Sequence, residues 1–162
     1  HVQAFLESRG YITIAFSSGY SGTELRSADI YIDPVNSLSE FHNLLLNLTP
    51  LSFLVGRSER SSFFAVHRRR ILSTLDRLGG LKKPARPCFV FAHIMAPHPP
   101  FVFEENGGPR TPSTEPRYSD GDHFHRFGKE EIKKYTEDYR KQITFISRKV
   151  EETIEAILTR RR

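Results

Sequence analysis

The sequence predicts an α/β layer architecture, and three observations carry that prediction. Short runs rich in β-branched and aromatic residues alternate along the 162-residue chain with stretches of helical periodicity. One such run places Phe89, Phe91, His93 and Met95 on one face and Val90, Ala92 and Ile94 on the other. Apolar residues in both alternating sets are what a strand covered on both sides requires. The chain then closes on a long stretch, from about Lys129 to Leu158, whose apolar residues recur at three- and four-residue steps.

Taken in order, Val2, Phe5 and Leu6 open the chain at helical spacing, and Arg9 and Gly10 close that turn. Tyr11 to Phe16 reads as a short strand, followed by turn formers from Ser17 to Gly22, and Ala28 to Ile32 as a second strand. Ser37 and Glu40 have capping-box spacing and open a helix through about Leu48, with Leu38, Phe41, Leu44, Leu45 and Leu48 on its apolar face. Pro50 ends it. A further helix is predicted over Ser61 to Leu78, with Phe63, Phe64, Val66, Ile71, Leu75 and Leu78 inward and Gly79 and Gly80 as its stop. The strand that starts at Cys88 follows. Phe101 to Phe127 is a long irregular segment broken by glycine and proline. In the last helix Ile132, Tyr135, Tyr139, Ile143, Ile146, Val150, Ile154, Ile157 and Leu158 form the stripe expected to lie on the sheet. With neither repeats nor a dividing linker, residues 1–162 read as a single partial α/β domain. The opening without methionine and the unstopped run into Arg160, Arg161 and Arg162 fit an internal fragment of a larger domain.

Composition narrows the function classes. A content of 38% hydrophobic and 27% charged residues is that of a globular domain and argues against general disorder. The net charge of +5 favours encounters with anions, but much of it sits in Arg68 to Arg70 and Arg160 to Arg162. The aromatics follow core periodicity instead of interleaving with basic residues, so no nucleic-acid partner is expected. Cys88 is the only cysteine, which rules out an intrachain disulfide and a cysteine-based zinc cluster. The richest apolar stretch, Leu44 to Val55, is broken by Asn47, Thr49 and Pro50 and falls short of the ~20 residues a spanning helix needs. No membrane contact by this chain is expected.

His98 is the leading candidate site residue. It falls just past the predicted strand's carboxyl end, where open α/β sheets usually bind ligands, and Pro97, Pro99 and Pro100 restrict the backbone around it. A charged imidazole there suits a small anion. On the residues alone, a structural histidine whose ring caps a loop carbonyl stands slightly ahead of that reading. His93, mid-strand among phenylalanines, is first a core histidine and only then a residue supporting the site. Asp120, Asp122, His123 and His125 have metal-ligand chemistry but sit in a glycine-containing stretch with no matching distant pair, which favours a solvated loop. Ser17 to Thr23 lacks both the Gly-x-Ser-x-Gly spacing and a Gly-Lys-Ser/Thr ending, so an ordinary turn is expected. His67 to Arg70 reads as a solvated helical face.

The run Phe89-Val-Phe-Ala-His-Ile-Met-Ala-Pro-His-Pro-Pro-Phe101, followed by the helix with Tyr139, Gln142, Ile143, Val150, Ile154 and Leu158, resembles the sulfatase-like branch of the alkaline phosphatase superfamily. That branch includes sulfatases and lipoteichoic-acid-synthase-like phosphoglycerol transferases. Leu6 to Tyr11 with Ile14 to Gly19 looks like the helix and strand that precede the family's middle region. The resemblance implies an alkaline-phosphatase-like layered domain, a sulfate or phosphate ester substrate, and a divalent ion (manganese, magnesium, calcium or zinc). It also implies a parent hydrolase or transferase, often membrane-anchored, at the extracytoplasmic face of the cell membrane. It carries a substrate-binding role over to His98 alone; His93 stays a substrate-binding candidate only in support of it. The family's nucleophile segment and its Asp-His-Gly strand do not occur in this sequence. No catalytic residue and no metal ligand is therefore expected within the chain, which by itself should be inactive and should need the rest of the catalytic domain as its partner. The alternative is a non-catalytic anion-binding or protein-interaction α/β domain.

Overall fold

The computed structural model describes residues 2–35, 59–82, 84–110 and 128–160. Among them the chain is mixed α/β, with three helices, one short 3-10 turn and one three-stranded parallel sheet. The elements run α1 (Val2–Ser8), β1 (Ile12–Phe16), the 3-10 turn (Ser21–Thr23), β2 (Ile30–Ile32), α2 (Glu59–Gly80), β3 (Cys88–Ala92) and α3 (Lys129–Arg160). The helix predicted from Ser37 to Leu48 lies outside the described residues. Two compact units are present: one of His1–Pro34, Arg69–Met95 and Ser147–Arg162, the other of Val35–Arg68 and Ala96–Ile146.

The first unit holds the sheet, in the order β2-β1-β3. β1 is central, with Ile14 beside Ile30 on one side and Val90 on the other. That position buries Thr13, Ile14, Ala15 and Phe16. β3, predicted to be covered on both faces, is instead half-buried at all five positions and has one described neighbour. It is also shorter than predicted. Phe16 is the last residue of β1 and registers with Ala92, so the ladder has no further partner for His93, Ile94 and Met95.

Local chemistry sets the entry to β1. α1 closes where Gly10, at φ +83°, donates to Glu7 O at 2.9 Å and Tyr11 N donates to Leu6 O at 3.1 Å. Thr13 and Asp29 then bond reciprocally: Thr13 N donates to Asp29 Oδ2 at 2.8 Å, and Asp29 N donates to Thr13 Oγ1 at 2.9 Å. The Thr13 N–H, together with the Thr13 hydroxyl that donates to the same Oδ2 at 3.1 Å, holds the Asp29 carboxyl below its usual range. At the far end of α2, a Cβ on Gly79 would stand 3.4 Å from that of Ala156, so the helices meet there at ordinary contact distance.

The second unit is organised around residues 98–110 and the first half of α3. Glu131 accepts from Gly128 N at 2.7 Å, satisfying a donor at the helix start. Phe101 meets Tyr135 and Tyr139 edge-on with centroids 4.9 and 6.2 Å away, and Phe103 lies against Phe145 at 4.8 Å. A tight reversal follows, with Phe103 bridged to Pro109 and Gly107 at φ +87°. Arg110 fastens it by donating to Glu104 at 2.9 Å and to Asp138 of α3 at 2.5 Å.

Two predicted faces are corrected. On α3 the buried residues are Gln142, Phe145 and Ile146, whereas Tyr139, Val150, Ile154 and Leu158 of the predicted stripe are exposed. Residues 135–145 spend their contacts on Phe101, Val102 and Phe103, which rotates the buried face toward Gln142 and Phe145. On α2, Phe64, His67, Ile71, Thr74 and Leu75 form the buried stripe. His67 is thus not part of a solvated face, and Phe63, Val66 and Leu78 are only half-buried.

Candidate functional site

A parallel sheet in the order β2-β1-β3 reverses direction at the carboxyl ends of β1 and β3, where open α/β sheets form a ligand crevice. Ser17 and His93 follow the registered pair Phe16 and Ala92 directly, so they flank that point. Ser17 and Ser18 are buried, and Gly19 turns the chain at φ +76° with the Arg70 guanidinium packed over it. The anion that fills this turn is its own. Glu24 Oε1 accepts from Gly19 N at 2.9 Å, Ser17 Oγ at 3.1 Å and Ser18 Oγ at 3.4 Å, and Glu24 Oε2 accepts from the Tyr31 hydroxyl. Partial burial works to raise the Glu24 carboxyl, but the Tyr31, Gly19 and Ser17 bonds with the charge of Arg26 outweigh it and lower it overall. Partial burial and the Glu24 bond raise the Tyr31 phenol. The donors that could cradle a phosphate at this turn are engaged by Glu24, in keeping with the ordinary turn expected from the sequence.

His93 is half-buried in the first unit. His98 lies in the second and is exposed. The His98 ring is nevertheless fixed. Nδ1 lies 2.7 Å from the Pro99 carbonyl oxygen, which can only accept, so Nδ1 carries the proton. In the neutral ring Nε2 then presents a lone pair, and in the charged ring an N–H. The backbone behind it is held just as firmly: Pro99, Pro100, Phe101, Val102 and Phe103 are all buried. Both Ala96–Pro97 and Pro99–Pro100 are cis.

Gln142 completes the turn. Its side chain is fully buried; Oε1 accepts from Val102 N at 2.8 Å and Nε2 donates to the His98 carbonyl at 3.3 Å. One α3 amide therefore ties both ends of residues 98–102. Apolar periodicity alone does not mark Gln142, which is polar. The signal was there: Gln142 stands seven residues after Tyr135 and four before Ile146, a polar residue on an otherwise apolar face.

Among the described residues no group of three or more His, Cys, Asp or Glu side chains is placed to hold a metal ion. The divalent ion that the resemblance implies is expected to be held by the rest of the domain. Asp120, Asp122, His123 and His125 lie outside the described residues. Compared with known families, curated proteins and solved structures, the chain matches none.

Proposed function

We propose that this chain is a piece of a sulfatase-like hydrolase or phosphoglycerol transferase of alkaline-phosphatase-like fold, acting on sulfate or phosphate esters, in which His98 meets the anionic ester group. One observation carries the reading: the imidazole is exposed, yet its orientation is set by Nδ1 donating to Pro99 O. The bond to Pro99 is also the one a structural histidine capping a loop carbonyl makes; what favours an anion contact is that the ring so held is exposed. It is backed by a buried Pro-Pro-Phe-Val-Phe segment and clamped from α3. The two segments that carry the family resemblance, residues 89–101 and 135–158, supply the Phe101, Tyr135 and Tyr139 contact, which supports the same reading.

In the proposed reaction a nucleophile outside the matched segments forms a bond to phosphorus or sulfur as the ester oxygen departs. The charged His98 ring donates its Nε2–H to a nonbridging oxygen or gives that proton to the leaving oxygen. Water or an acceptor alcohol later releases the covalent intermediate. The resemblance implies a divalent ion held by the rest of the domain, which would supply charge stabilisation. The partner of this chain is the remainder of the catalytic domain, and the location is the extracytoplasmic face of the membrane.

The test is His98→Ala in the protein whose catalytic domain contains this chain, assayed on an aryl sulfate and an aryl phosphate with divalent ions supplied. Turnover should fall by roughly 10²–10⁴-fold, the usual size of a general-acid effect. Unchanged turnover removes His98 from the chemistry. Absence of turnover from the unmutated protein on either ester class, with phosphate still bound, leaves the non-catalytic anion-binding domain in its place.

A further inference from the structure

We infer that Gln142 is a positioning residue for His98: its buried amide fixes the 98–102 turn, and through that turn the direction in which His98 Nε2 faces an anionic oxygen. The inference rests on the reading that His98 meets an anionic ester. The geometry argues for a specific role of the amide. Val102 N–H is a donor and needs an acceptor, the His98 carbonyl is an acceptor and needs a donor, and a glutamine amide supplies one of each at 2.8 and 3.3 Å. Aspartate, glutamate, leucine or methionine at this place satisfies one end at most. The partners lie 40 and 44 residues away in sequence, so neither bond serves the helix that carries Gln142.

Between the two clamped positions lies Pro99, whose carbonyl holds the ring through Nδ1. Releasing residues 98 and 102 from Gln142 frees that carbonyl to reorient, and the Nδ1 bond weakens with it. The ring then loses its preference for the Nδ1–H tautomer, and Nε2 ceases to be the only nitrogen available to a ligand. The effect on the ester site is indirect: Gln142 touches the turn, and the turn aims the ring.

The experiment compares wild type, Gln142→Met and Gln142→Glu as protein labelled with ¹⁵N-histidine, with His98→Ala to identify the His98 signals. Nitrogen chemical shifts report the tautomer, circular dichroism reports folding, and titration with inorganic phosphate reports anion contact. Wild type should show His98 as the Nδ1–H tautomer and a phosphate-dependent shift. Gln142→Met, similar in volume and lacking both bonds, should show a mixture of tautomers and a phosphate affinity lowered roughly tenfold, as for the loss of one charge-assisted hydrogen bond. Gln142→Glu keeps the acceptor for Val102 N and should fall between. A folded Gln142→Met protein with wild-type tautomer and affinity overturns the inference. Where the methionine variant does not fold, wild-type behaviour of Gln142→Glu overturns it equally. A tautomer that responds to Gln142 in a protein whose His98 never responds to phosphate upholds the positioning and rejects the ester reading, so the two fail separately.

Discussion

Replacing Gly107 with alanine should destabilise the second unit by about 2–5 kcal/mol. Two independent costs make up that figure. Gly107 sits at φ +87°, where an L side chain pays roughly 1–2 kcal/mol. Its new Cβ would also stand 2.4, 2.8 and 3.0 Å from Cε2, Cζ and Cδ2 of Phe145. A rigid ring edge cannot give way as a flexible side-chain end can, and this ring is pinned against Phe103 at 4.8 Å. Overpacking of that kind costs roughly 1–3 kcal/mol. For a chain of this length the sum lowers the melting temperature by roughly 5–20 °C. Urea unfolding followed by far-ultraviolet circular dichroism measures it. Phe145→Leu separates the two costs, because it removes the ring edge while leaving the backbone angle unchanged. Against that background Gly107→Ala should cost only the backbone part, roughly 1–2 kcal/mol. An equal cost in both backgrounds would refute the packing argument, and a cost near zero in both would refute the turn itself.

Acidification tests the first unit. The Glu24 and Asp29 carboxyls are both held below the usual range, so their stabilisation is complete above the ordinary carboxylate values near pH 4 and is lost as pH falls through the lowered ones. Glu24→Gln with Asp29→Asn should flatten the acid limb of a stability-versus-pH curve; an unaltered limb counts against these networks. Tyr31→Phe removes the foremost hydrogen bond lowering the Glu24 carboxyl, so carboxyl NMR should find Glu24 titrating at higher pH than in wild type, and no change would mean that the bond is not formed. Arg110→Met takes the guanidinium from Asp138 and leaves Glu104 with Lys141 at 3.6 Å, and should cost about 1.5–3 kcal/mol in chemical unfolding. Arg110→Lys should recover only part of it, since an ammonium lacks the fork that reaches both carboxylates, and full recovery would show that charge alone suffices.

Where local chemistry decides, the sequence is readable. The long amphipathic helix emerges as Lys129–Arg160, the second as Glu59–Gly80, and β1 and β3 within a few residues of their predicted starts. Gly10 ends α1 as a helix-stopping glycine should, with its positive φ. The three prolines that frame His98 are legible in the chain itself, whereas its expected place just past the strand is not met: β3 ends at Ala92, and His98 belongs to the other unit. Conversely, Glu24 was invisible as the anion of the Ser17 turn, since nothing in its local pattern announces that Tyr31 and the Gly19 amide converge on it.

The sequence by itself determined the alternation of strand and helix, the single cysteine, and the proline-framed histidine, because each depends on residue chemistry and spacing over a few positions. Tertiary structure decided which strand is central. Ile12–Phe16 carries the polar Thr13 where Cys88–Ala92 carries no comparable polar side chain, yet β1 is the buried strand because pairing on both sides, not composition, removes a strand from water. Tertiary structure also decided which face of α3 is inside. A helix stripe says only that one side is apolar; Val102, Phe103 and the His98 carbonyl are what Gln142 and Phe145 are buried against, while Tyr139, Val150, Ile154 and Leu158 are exposed. Those partners lie some forty residues from Gln142, and no local pattern encodes a hydrogen bond across that distance.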